Sequence, residues 1–161
     1  MIKEVEGDIL LTSARAIAHG VGPNDNFAQG LALSLREMWP ALYKDFRNYC
    51  HLGEAHEGGV WFWRGPSGPS IINLFTQERP QKNHSHPGPA KLDYVNHCLR
   101  DLAKVVNSEK IESLALPRLS TGVGGLQWDH VRPLIEKQLG SLKIPVFLYT
   151  AYHKGQKAKE N

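Results

Sequence analysis

Strand-like and helix-like stretches alternate along this chain, and that alternation predicts an α/β domain with a sheet sandwiched between helices. A second observation points to where it works. Three loops that leave strand ends, "GDILL", "HGVGPNDNFAQG" and "RLSTGVGG", carry glycines, hydroxyls or carboxylates, and α/β folds bind ligands at the C-terminal ends of their strands. A third is size: 161 residues, with no repeat and no linker long enough to divide them, are sufficient for one core.

The elements follow in order. "IKEVEG" alternates apolar and polar residues and reads as a strand. "ARAIAHGV" gives a second, short strand around Ala16 to Gly20. In "AQGLALSLREMWP" Leu31, Leu35 and Met38 fall at helical spacing, and Pro40 stops the run. "ALYKDFRNYCHLG" repeats the period with Leu42, Phe46 and Tyr49, and Gly53 suits a helix C-terminus. "GGVWFWRG" and "PSIINLFTQ" read as two strands joined by the turn "GPSGPS". "ERPQKNHSHPGPA" is the least structured segment. "KLDYVNHCLRDLAKVV" puts Leu92, Val95, Leu99, Leu102 and Val106 on one helical stripe. "IESLALP" is a buried strand, "WDHVRPLIEKQLG" a helix ending at Gly140, and "IPVFLYTAY" a last strand. Residues 1–152 make the domain, and 153–161, "HKGQKAKEN", a basic tail expected to be disordered.

Composition narrows the function classes. The 41% hydrophobic and 22% charged content is that of an ordinary globular protein. No apolar run reaches the roughly 20 residues of a membrane helix, and Glu4, Glu6 and Asp8 break up any signal-peptide layout. A cytoplasmic monomer without membrane contact is expected. The net charge of +3 is too small to mark a nucleic-acid reader by itself. Cys50 and Cys98 lack CxxC spacing and read as reduced thiols. His84 and His86 in "KNHSHPGP" have no third spaced ligand and read as solvated loop histidines. No metal and no cofactor are expected.

The stretch "LALPRLSTGVGGLQWDH" poses the sharpest local question. Gly122, Gly124 and Gly125, with Ser120 and Thr121, separate a buried strand from a helix start. Such a loop can let backbone N–H groups crowd around phosphate, or it can be a turn that needs positive φ. A second glycine-containing loop after the second strand suggests a diphosphate held from two sides.

"GDIL", "AIAHGVGPNDNFAQGLALSLREMWP", "INLFTQ" and "LALPRLSTGVGGLQW" occur in the order and spacing of a macrodomain. The chain resembles that family over about Ile2 to Tyr152, and within it the branch of terminal ADP-ribose protein glycohydrolases and DNA ADP-ribosyl glycohydrolase antitoxins. The resemblance implies a mixed central sheet between helices and a crest cleft for ADP-ribose. It implies that Asp8 accepts the adenine amino group, since an ionised carboxylate accepts without donating. The backbone of Ile9 then holds the ring edge, with Leu10 beside it. Asp8 taken alone equally suits an Asx turn. By the same resemblance His19, Gly20, Phe27, Ala28, Gln29, Gly30 and Leu31 wrap the distal ribose and one phosphate. Pro117, Ser120, Thr121, Gly122, Val123, Gly124 and Gly125 cradle the diphosphate, and Tyr149, Ala151 and Tyr152 flank the adenosine.

The departures bear on mechanism. Enzymes of this branch place a lysine after the "INLFT"-type strand and many place an acid in the glycine loop; those positions are Gln77 and Gly124 here. The water-positioning aspartate of another branch falls on Ala32. A carboxamide cannot form an imine, so Gln77 excludes the lysine-type covalent route at that site. Gln77, Asn24 or Asp25 can instead orient a water, and Glu78 and Lys82 are candidates to replace the missing pair. Three readings stand: hydrolysis of ADP-ribosyl groups from a modified protein or nucleic acid by noncovalent water attack, a non-catalytic ADP-ribose reader, and an ADP-ribose 1″-phosphate phosphatase.

Overall fold

Period-two alternation in the central strands divides the core into two halves, one on each face of the sheet. The computed structural model describes residues 1–82 and 85–161. Its elements are β1 (Ile2–Gly7), β2 (Ala16–Val21), α1 (Gly30–Met38), α2 (Pro40–His51), β3 (Val60–Trp63), β4 (Ser70–Phe75), α3 (Leu92–Ser108), β5 (Leu114–Pro117), α4 (Trp128–Leu139) and β6 (Val146–Tyr152). A single 3-10 turn, Ile9–Leu11, follows β1. The strands form one sheet in the order β1-β6-β5-β2-β4-β3. All neighbours are parallel except β3 on β4, so the sheet is mixed, with its antiparallel pair at one edge.

Ala16, Ala18, Ile72, Leu74, Leu114, Leu116, Val146 and Leu148 pack under α3 and α4, against residues such as Leu99, Leu102, Val131 and Ile135. The intervening residues Ile17, Val21, Ile71, Phe75, Ala115, Phe147 and Tyr149 pack on the other face against Leu35, Leu42 and Phe46 of α1 and α2. A side chain as large as Phe46, completely buried, stabilises the fold by roughly 1.5–3 kcal/mol. Met38 and Leu92, both expected on buried stripes, are 47% and 37% exposed. Each is the terminal residue of its helix, where nothing closes over it. Cys50 and Cys98 are free thiols. Among the described residues no helix is long and apolar enough to cross a membrane.

The tail departs from the expected disorder. Asp8 N donates to Gln156 O at 2.7 Å, and Gly155 N donates to the Asp8 carboxylate at 2.9 Å. Glu160 accepts from the Thr12 and Tyr149 hydroxyls and from Ser13 N. Ala158 is buried against the domain. Basic composition alone suggested a solvated end, but these contacts are made by backbone groups and one carboxylate, and they hold the lysines outside.

Candidate functional site

The cleft arises from sheet topology. β2 pairs with β4 along its whole length, from Ala16↔Ser70 to Val21↔Phe75, but with β5 only through Ala16↔Leu114 and Ile17↔Ala115. Beyond Ile17 the two strands part. After β2 the sheet grows toward β4 on one side, while β5 lies on the other. This is the switch point at which parallel sheets bind ligands.

Two cavities adjoin there and share Gly30, Leu31 and Pro117. The first, about 370 Å³, is mainly apolar and lies over β1 and β6, lined by Ile9, Leu10, Ser34, Tyr149, Ala151 and Tyr152 among others. The second, about 260 Å³, is more polar; His19, Gly20, Asp25, Asn26, Gln29 and Gln77 face Arg118, Ser120, Gly122, Val123 and Gly124 across it. At the junction α1 begins with no side chain capping its N-terminus. Its first N–H groups therefore remain available to an anion, and the helix dipole favours negative charge there.

The expected residues divide unevenly between these walls and the core. The Phe27 side chain lines neither cavity. Its ring is fully buried among His19, Tyr43 and Phe46, because the loop residue takes φ +50° and turns inward. Ala28, Thr121 and Gly125 line neither cavity. The Thr121 hydroxyl instead donates to Arg118 O at 3.0 Å, and Gly125 N to Gly122 O at 3.1 Å, closing the loop on itself. The three loop glycines do different work. A Cβ at Gly122 would meet nothing within 4 Å, whereas one at Gly124 would lie 2.6 Å from Ser120 O. Gly122 is open to a ligand; Gly124 is bare because its own loop crowds it.

Asp8 borders the apolar cavity through its neighbours rather than lining it. Its carboxylate accepts from Leu10 N at 3.0 Å, an Asx-type cap on the 3-10 turn, and from Gly155 N. Burial pushes the Tyr149 hydroxyl up, and its 2.6 Å hydrogen bond to Glu160 adds to the shift.

In the polar cavity four side chains are held by hydrogen bonds. Asn73 Nδ2 donates to Trp61 O at 3.2 Å, which leaves its Oδ1 to meet His19 Nε2 at 2.7 Å. His19 thus carries its proton on Nε2. Burial lowers its pKa to about 4, against the opposing effect of the Asn73 hydrogen bond, and the ring is neutral at pH 7. The Asp25 carboxyl is raised by burial, an effect opposed by hydrogen bonds from Phe27 N at 2.9 Å and Gly22 N at 3.1 Å. Gln77 Nε2 donates to Gly88 O at 3.0 Å, while its backbone N–H donates to Val21 O. Ser120, at φ +60°, donates its hydroxyl to Thr76 at 2.9 Å and ties the glycine loop to the end of β4.

Glu78 does not take the place of a catalytic acid here: it pairs with Lys91 at 2.6 Å, outside both cavities. Asn24 and Lys82 likewise line neither cavity, and Asn24 N donates to Cys50 Sγ. His86 approaches Asn26 at 3.4 Å, and His84 lies outside the described residues. Among the described residues no three His, Cys, Asp or Glu side chains converge as a metal site. Sequence reasoning passed over Asn26, Arg118 and Ser34 as wall residues. Arg118 had the one available signal, a cation beside the glycine loop; its guanidinium lies 4.8 Å from the Trp128 ring centre.

The Macro domain family model matches residues 40–135. The chain is 30% identical over 152 residues to the DNA ADP-ribosyl glycohydrolase of Thermus aquaticus, a match covering 92% of this chain and 41% of that protein. It is 31% identical over 136 residues to the DNA ADP-ribosyl glycohydrolase of Mycobacterium bovis, covering 81% of this chain and 36% of the relative. The chain therefore spans about two-fifths of the length of these relatives. It superposes on the macrodomain of Thermus aquaticus DarG with a TM-score of 0.81 at 27% identity, covering 93% of this chain and 98% of that one. Thermosipho africanus DarTG in complex with ADP-ribose gives a TM-score of 0.82 at 24% identity, over 97% of this chain and 42% of that one, a likeness of fold. A mixed sheet between helix pairs, a cleft at its switch point and a family match across more than half the residues agree: this chain belongs to the Macro domain family.

Proposed function

We propose that this macrodomain binds ADP-ribose and hydrolyses ADP-ribosyl groups from a modified nucleic acid. The observation that carries the reading is the pair of joined cavities, apolar over β6 and polar over β2, with an uncapped helix start between them. Adenine suits the first, where Tyr149 and Tyr152 supply aromatic wall. The diphosphate suits the junction, gripped by the first N–H groups of α1 and by the open side of Gly122. The distal ribose then occupies the polar cavity beside His19, Asp25 and Gln77. The names of the relatives support DNA as the acceptor.

Cleavage proceeds without a covalent adduct. As the glycosidic bond breaks, oxocarbenium charge develops on the ribose, and the ligand's own phosphates stabilise it. Water attacks the anomeric carbon while the departing group leaves with the electron pair of the glycosidic bond. Asp25, whose carboxyl is raised by burial, accepts the water's proton, which passes through solvent to the departing group, and Gln77 orients the water. Neutral His19 packs beside the ribose as a hydrogen-bonding wall.

Gln77 at the position of the family lysine favours one rival, a reader that binds ADP-ribose without turning it over. Incubation with ADP-ribosylated DNA, ADP-ribosylated protein and ADP-ribose 1″-phosphate decides between them. Release of free ADP-ribose from the DNA is expected. Tight binding with no release from any substrate establishes the reader, and release from the phosphate alone establishes a phosphatase.

A further inference from the structure

A groove of about 580 Å³ lies between α1 and α2, lined by Arg36, Lys44, Arg47 and His51 together with Glu37, Tyr43 and neighbouring residues. Lys44, Arg47 and His51 are spaced i, i+3 and i+7 on α2, so they share one face and follow one another at about one helical turn, near 5 Å. Glu37 is the one carboxylate in the lining.

Some surface cations are ion-paired and others are not; what sets this face apart is its run of cations against a single carboxylate and its place beside the polar cavity. Elsewhere Arg79 pairs with Glu57, Lys91 with Glu78, Lys104 with Asp101, and Arg132 with Glu4 and Glu136. Among the described residues neither Lys44 nor Arg47 has an ion-pair partner. Asp45, next in sequence to Lys44, accepts from the Trp63 indole instead. Compensation of helix dipoles accounts for Arg36 and His51, which sit in the last turns of their helices. It does not account for Lys44 or Arg47.

The groove is continuous with the wall of the polar cavity. Arg36 Nη1 donates to Asn26 O at 2.9 Å, and Asn26 lines that cavity. Its guanidinium lies 4.0 Å from the centre of the Tyr43 ring, which fixes its position in the groove. α1 itself faces both ways: Leu31 and Ala32 line the cavity, and Leu33 and Glu37 line the groove.

Resting on the ADP-ribose reading of the cleft, we infer that the α1–α2 groove binds the phosphodiester backbone of a single-stranded nucleic acid flanking the modified base. The strand leaves the distal ribose over Asn26, passes Arg36 and sets successive phosphates against Lys44 and Arg47. Unpaired cations in a row neutralise successive phosphates and release their counterions, so binding weakens as salt rises. Two such contacts give a slope of about −1.4 in log affinity against log salt for a single strand.

The test measures two affinities on the whole chain. Fluorescence anisotropy follows a labelled, unmodified single-stranded DNA oligonucleotide, and calorimetry follows ADP-ribose, for the wild type and for Lys44→Glu/Arg47→Glu. The double variant is expected to lose about tenfold or more in oligonucleotide affinity with a shallower salt slope. Its ADP-ribose affinity is expected to stay within about twofold of wild type, which also shows that it is folded. The inference is overturned by wild-type affinity for the oligonucleotide in the variant, by no oligonucleotide binding in the wild type, or by poly-glutamate competing as well as DNA. A wild type that binds the oligonucleotide but not ADP-ribose overturns the reading of the cleft, and the acceptor role of the groove with it.

Discussion

At the scale of single residues, Asp8 and Gln77 carry the testable claims. The Asp8 carboxylate already accepts from Leu10 N and Gly155 N, yet an ionised carboxylate has further lone pairs for an adenine amino group. Asp8→Ala is expected to weaken ADP-ribose binding by roughly tenfold to a hundredfold, the worth of one charge-assisted hydrogen bond. Unchanged calorimetry would leave Asp8 as a tie between the 3-10 turn and the tail. Gln77 predicts that borohydride traps no protein–ribose adduct during turnover, because a carboxamide nitrogen does not condense with an aldehyde. Gln77→Ala should slow turnover more than it weakens binding. Gln77→Lys should not restore a lysine route, since an acid at Gly124 would need its Cβ where Ser120 O already stands 2.6 Å away. An adduct mapped to any lysine by mass spectrometry would sink this account.

Elements determine how the cleft is held open. The glycine loop offers one unobstructed position, Gly122. Gly122→Glu should fold normally and abolish ADP-ribose binding, because the new side chain fills the phosphate space and brings like charge to it. Retained binding in a folded Gly122→Glu protein would make the loop an ordinary turn. The tail is the other element with consequences. Glu160 joins the Thr12 and Tyr149 hydroxyls and Ser13 N, and so braces the Tyr149 wall of the apolar cavity. In Glu160→Ala, amide exchange of Gly155 and its neighbours should speed up measurably, with global stability lowered by about 1 kcal/mol for each bond that was net favourable. Exchange identical to wild type would show that the tail docks without Glu160.

The whole molecule should register the burial of His19 in its pH dependence. Its folded pKa is about 4, below the ordinary value of 6.5. Between those values the unfolded chain binds a proton that the native state does not, so stability falls as pH drops from about 6.5 to 4. The loss is on the order of 3 kcal/mol. Urea midpoints should decline from pH 7 to pH 5, and His19→Gln should flatten that decline. A wild-type midpoint constant over this range would mean that His19 takes up its proton without disturbing the fold.

Which segments become strands and helices was legible from the chain itself, because hydrophobic period depends only on near neighbours. "IKEVEG" and "SIINLF" needed no partner to be read as strands, nor "LDYVNHCLRDLAKVV" to be read as a helix. The loops of the cleft were legible too, since glycine and hydroxyl clusters after strands are local signals and the four ordered stretches carried the family resemblance. Tertiary structure decided the rest. Period marks an apolar face but not what will cover it, so Met38 was expected inside and lies exposed, while the Phe27 ring of an irregular loop packs into the core. The bond from Gly155 to Asp8 joins residues 147 apart, and the crowding of Gly124 by Ser120 depends on how one loop closes. The alignment of Lys44 and Arg47 beside Arg36 required two helices to meet. Local sequence encodes the conformation of a segment; the identity of its neighbours is set only when distant segments pack together.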